Sequence, residues 1–139
     1  MSDRLLFMLS RVHHKVVAHI GNELKKNGIS LSPGQIGILF VLENDGESNM
    51  GHLSRSLDID NAAISRLVDK LEKQGFVMRS INTEDRREIL INITQEGLRN
   101  IDTVKVMVNA ANERIREGFS DEEMSVYQRI NMSILDKFQ

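Results

Sequence analysis

The chain has 139 residues, 40% hydrophobic and 27% charged, which suits one soluble globular domain with a modest core. It has no cysteine, which excludes disulfides, thiolate nucleophiles and cysteine-rich zinc sites. Aromatic residues are only 4%, too few for the stacking platforms of single-strand and RNA readers, and the formal net charge of −2 means that any basic surface must come from arrangement rather than number.

No stretch approaches the roughly 20 apolar residues of a membrane span. The N-terminus turns polar after Leu9, unlike a signal peptide. The expected setting is therefore cytoplasmic, with no membrane partner.

Leu5, Leu9, Val12, Val16, Ile20 and Leu24 recur at spacings of three and four, which predicts a long first helix ending near Gly28. Ser32-Pro33-Gly34-Gln35 starts a second: Ser32 caps, Pro33 fits the first turn and Gln35 returns the capping bond. Its expected inward residues are Ile36, Leu39, Phe40 and Leu42, and Asp45-Gly46 breaks it. Asn49 caps a short third helix with Leu53 and Leu57 inward. After the turn Asp58-Ile59-Asp60, Asp60 caps a fourth, with Ile64, Leu67, Val68 and Leu71 inward and Gly75 as its stop.

Val77–Ile81 and Ile89–Ile93 alternate with period two and predict two strands, joined by the polar segment Asn82–Glu88. Thr94 caps a fifth helix carrying Leu98, Ile101, Val104, Val108, Ala111 and Ile115 at near-heptad spacing, and Gly118 ends it. Ser120 with Glu123 opens a last helix whose apolar face is Met124, Tyr127, Ile130 or Asn131, Ile134 and Phe138. The methionines read as core filler.

The expected fold is mainly α with a small β-hairpin: a winged helix-turn-helix at residues 32–94, flanked by dimerisation helices at 1–30 and 95–139. The third and fourth helices, joined by about four residues, make the helix-turn-helix. A hairpin bearing two arginines near its tip follows at once. This layout points to double-stranded DNA, with the fourth helix in the major groove and the arginines in the flanking minor groove.

On the fourth helix, Asn61 suits adenine, Arg66 guanine, and Ala62 or Ala63 a thymine methyl. Ser65 and Lys73 suit phosphates, and Lys70 lies on the same face. The competing reading is a solvated face with salt pairs such as Asp69–Lys73. His13, His14, His19 and His52 lack the i, i+4 spacing of a helical metal pair and read as structural; no cofactor or metal is expected. No Ser/His/Asp spacing or Gly-rich phosphate loop suggests an enzyme.

The order of elements and three local segments resemble the MarR (multiple antibiotic resistance regulator) family of transcription factors, over essentially the whole chain. The segments are Ser32-Pro33-Gly34-Gln35 before an apolar helix, Ile64–Val77 as recognition helix and exit, and Asp85-Arg86-Arg87 followed by Asn92-Ile93-Thr94. Ile93 stands where the family usually has Leu, and Asn82 where Asp is frequent. The resemblance implies a homodimeric repressor of a pseudo-palindromic operator, released by a small effector that is often aromatic or anionic. It assigns Arg87 the minor-groove role, with Arg86 beside it and Asp85 either orienting Arg87 or pairing with Arg66 or Lys70. An effector between the first, second and fifth helices would meet Arg11, His13 and Lys15 at its anionic end and Phe40 and Met107 at its apolar end. The alternative function is a winged helix used for protein contact without specific DNA binding.

Overall fold

A computed structural model describes residues 4–139. Its elements are α1 (Leu5–Lys26), α2 (Pro33–Asp45), β1 (Ser48–Asn49), α3 (Met50–Leu57), α4 (Asn61–Lys73), β2 (Val77–Ile81), β3 (Ile89–Ile93), α5 (Gln95–Arg116) and α6 (Asp121–Lys137). Two compact units emerge, one running to Met107 and the other Val108–Gln139, so the division falls inside α5.

Local chemistry sets the helix starts. Ser32 and Gln35 form a reciprocal capping box on α2, and Ser120 and Glu123 form one on α6. The Asn49 side chain accepts from the His52 amide at 2.7 Å, and that of Asp60 from the Ala63 amide at 2.8 Å. Thr94 Oγ1 accepts from the Gly97 amide at the start of α5 and donates to the Gly75 carbonyl at 2.6 Å. Gly75 has φ +80°, a left-handed position that lets α4 stop and the chain turn directly into β2.

The sheet has three antiparallel strands in the order β1-β3-β2. Val77 pairs with Ile93 and Ile81 with Ile89, while Ser48 pairs with Ile91 and Asn49 with Leu90. The sequence predicts only the hairpin; β1 is an addition, and two residues are too few to carry a period.

The core is built from Ile38, Leu39 and Leu42 of α2, Leu53 of α3, Ile64, Val68 and Leu71 of α4, Val77 and Ile91 of the sheet, and Ile101 and Val104 of α5, all buried. Each such side chain contributes about 1.5–3 kcal/mol relative to exposure. The inward face expected for α2 needs correction: Ile38 is fully buried, whereas Ile36 and Phe40 are half-buried. The run from Ile36 to Leu42 is apolar almost all round, so periodicity does not select one face. Met8, Met78 and Met132 are exposed rather than core filler. Leu5, Leu9 and Val12 of α1, Tyr127 and Ile130 of α6, and Phe138 just after it are also exposed on this single chain.

Buried Gln35 joins three segments. Its Oε1 accepts from the Ser32 amide, its Nε2 donates to Gln74 Oε1 at 2.8 Å, and Gln74 Nε2 donates to the Ser30 carbonyl at 3.1 Å. This satisfies a buried amide and locks the start of α2 to the end of α4. His52 bonds Asp45 at 2.8 Å; that bond, with a second from Asn44, holds the Asp45 carboxyl below the usual carboxylate range. Lys105 of α5 pairs with Glu43 of α2.

Candidate nucleic-acid interface

The turn between α3 and α4 is stitched by one residue, Ser54. Its carbonyl accepts from the Ile59 amide at 3.1 Å, and its hydroxyl donates to the Ile59 carbonyl at 2.5 Å. Asp58 takes a left-handed conformation, φ 55°, which a short polar side chain tolerates. These two bonds tie the turn into α4 back to α3.

Burial of Ile64, Val68 and Leu71 turns the opposite face of α4 outward. Asn61, Ala62, Arg66, Lys70 and Lys73 are exposed; Ala63 and Ser65 are half-buried at the edge of that face. Among the described residues, Arg66, Lys70 and Lys73 form no ion pair. Among the described residues the Asp69–Lys73 pair of the competing reading does not form. Asp69 instead pairs with Arg79 on β2, whose Nε lies 3.5 Å from Glu72.

The wing tip is a defined turn. Asn82 Oδ1 accepts from the Glu84 amide at 2.9 Å, and Asp85 Oδ1 accepts from the Arg87 amide at 3.1 Å. Glu88 closes the base: one carboxylate oxygen accepts from Asn49 Nδ2 and the other from Asn82 Nδ2 at 2.6 Å. Arg86 and Arg87 project at the tip, with the Arg87 side chain 93% exposed. Asp85 contacts Arg87 Nε at 3.3 Å and, among the described residues, makes no pair with Arg66 or Lys70. The hairpin thus presents two guanidiniums on a short stiff support, a shape suited to a narrow electronegative groove.

The structure does not bring the five expected effector residues together around one cavity. Arg11 and Lys15 lie along one exposed side of α1 with Phe7, Met8 and Val12, and the Arg11 guanidinium lies 5.8 Å from the Phe7 ring centre. His13 is on α1 but outside that group, as are half-buried Phe40 on α2 and Met107 on α5. Among the described residues no cluster of three or more His, Asp or Glu could hold a metal, and no helix is long and apolar enough to cross a membrane.

Sequence reasoning missed Arg79 and Glu88. The signal available for Arg79 was a cation inside an otherwise apolar strand face. For Glu88 it was an acid at the base of an arginine-bearing turn.

Comparison with known proteins agrees with this geometry. The sequence profile of the MarR family matches residues 31–89. A MarR-family transcriptional regulator from Rhodococcus sp. RHA1 is 31% identical, with 96% of this chain and 94% of that one covered and a TM-score of 0.80. CouR from Rhodococcus jostii RHA1, solved bound to p-coumaroyl-CoA, is 32% identical over 96% and 92% of the two chains, with a TM-score of 0.79. The transcriptional repressor MdtR of Bacillus subtilis is 26% identical over 89% of this chain and 78% of its own length.

Proposed function

The chain belongs to the MarR family and is a DNA-binding transcriptional regulator; from that premise we propose that it acts as a homodimeric repressor of a pseudo-palindromic operator. The observation that carries the reading is the unpaired cationic face of α4, directly followed by a wing with Arg86 and Arg87 at its tip. In this reading Asn61, Ala62, Ala63 and Arg66 meet base edges in the major groove, and Ser65, Lys70 and Lys73 meet phosphates. Arg87 enters the minor groove with Arg86 beside it, and Asp85 orients Arg87.

The exposed apolar residues of α1 and α6 support a second copy as the partner of the terminal helices. Two-fold symmetry then sets the recognition helices about one helical turn apart on DNA, roughly 10 bp. The similarity to MdtR supports repression. The similarity to CouR, with its aromatic acyl thioester, supports an anionic aromatic effector for which Arg11 and Lys15 supply charge and Phe7 and Met8 an apolar wall. Such a ligand acts only through different affinities for the DNA-competent and incompetent forms.

The test is a gel-shift against the region upstream of the chain's own coding sequence, competed with unrelated duplex. Specific retardation, relieved by an aromatic acid or its thioester, is expected. Retardation competed equally by any duplex would overturn the operator reading.

A further inference from the structure

Arg79 holds the two acidic residues of the recognition helix. α4 carries three cations, Arg66, Lys70 and Lys73, and two carboxylates, Asp69 and Glu72. Both carboxylates lie beside the cations on exposed turns, and either would meet DNA phosphate with the wrong sign. Arg79 reaches back from β2 to both: a terminal guanidinium nitrogen pairs with Asp69, and Nε lies 3.5 Å from Glu72. Its side chain is 26% exposed, against 53% and 46% for the two acids. Nε is buried with no hydrogen-bond partner. The position suits charge better than bonding: one guanidinium sits within reach of two carboxylates at once.

We infer that Arg79 is a charge mask, which draws Asp69 and Glu72 toward β2 and offsets one of their two negative charges, so that the cations of α4 dominate what the phosphate backbone meets. It acts through those two acids and is a positioning residue, not a contact to DNA. This rests on the reading of α4 as the recognition helix. Such masking is an electrostatic, sequence-independent effect, so it should appear on any duplex and fade as salt rises.

The experiment measures affinity for a mixed-sequence duplex and for the upstream fragment across a salt series, with melting temperature in parallel. Arg79→Ala should weaken both by about tenfold at low salt, the size of one lost charge contact, with the deficit shrinking as salt increases. Adding Asp69→Asn and Glu72→Gln to Arg79→Ala should restore binding to within about threefold of wild type, because nothing is left to mask. A triple variant that stays folded and as weak as Arg79→Ala would overturn the mask and make Arg79 a phosphate contact. Should Arg79→Ala fail to fold, Arg79→Gln takes its place in both variants; Asp69→Asn/Glu72→Gln with Arg79 retained completes the cycle, where a smaller gain in affinity than the same pair gives without Arg79 supports the mask and an equal gain overturns it. Wild-type protein that binds neither duplex would remove the recognition-helix reading itself, an outcome separate from failure of the rescue.

Discussion

Glu88→Ala should loosen the wing without unfolding the domain. The Glu88 carboxylate takes one hydrogen bond on each oxygen, from Asn49 at the start of α3 and from Asn82 at the start of the tip turn. Hydrogen bonds to a charged group contribute about 1.5–3 kcal/mol when buried. Glu88 is only half-buried, so water recovers part of that, and about 1–2 kcal/mol for the pair is the local estimate. That corresponds to a roughly 5–30-fold shift in the opening equilibrium of residues 82–88. Hydrogen exchange reads it directly: the Asn82, Glu84, Arg87 and Glu88 amides are all bonded within the turn and should exchange faster by that factor. Glu88→Gln should not rescue fully. Its amide nitrogen would face the Asn49 or the Asn82 nitrogen, and neither asparagine can flip freely, since Asn49 Oδ1 caps α3 and Asn82 Oδ1 holds the Glu84 amide. Unchanged exchange in both variants, with unchanged DNA affinity, would refute the view that this carboxylate holds the wing.

Arg87→Ala should weaken operator binding by about 1–3 kcal/mol, most on sites with A/T-rich flanks, and Arg86→Ala by less; equal affinity of wild type and Arg87→Ala at matched salt counts against the wing assignment. Gly97→Ala should lower the melting temperature by several degrees, since a Cβ there would lie 2.3 Å from the Phe76 carbonyl oxygen, a backbone atom that cannot swing aside. Full stability in that variant would mean the start of α5 can shift. Removing residues 120–139 should abolish dimer and DNA binding together; sedimentation of the intact chain as a monomer at micromolar concentration would contradict the proposed assembly.

What the sequence disclosed was mostly local. The capping boxes at Ser32–Gln35 and Ser120–Glu123, the caps at Asn49 and Asp60 and the stop at Gly75 operate within three or four residues, so their pattern survives in a linear string. The burial of Leu53, Ile64, Val68 and Leu71 was legible because their helices have one clear apolar face. What stayed hidden depends on partners distant in sequence. Asp69, for which the competing reading offered a partner within its own helix, pairs ten positions away across the turn into β2. Glu88 finds Asn49, 39 positions earlier. Strand β1 exists only because β3 offers it an edge. The cationic positions of α4 and the wing were readable as a group. The means by which two carboxylates on the same helix are accommodated was not, because it resides in the strand that follows.

The pairing of β1 with β3 alters what counts as a transplantable unit. Ser48 and Asn49 hydrogen-bond into the wing's central strand, Asn49 also grips Glu88, and Asn92 donates to Glu47 at 2.7 Å. A chimera that exchanged only residues 77–93 for a relative's hairpin would keep the main-chain pairing but lose both side-chain ties wherever the relative lacks Glu88 or Asn92. The smallest segment that carries its own supports runs from Glu47 to Thr94. Substitutions that retune the tip therefore have to be judged together with the residues just before α3, even though some forty positions of chain separate them.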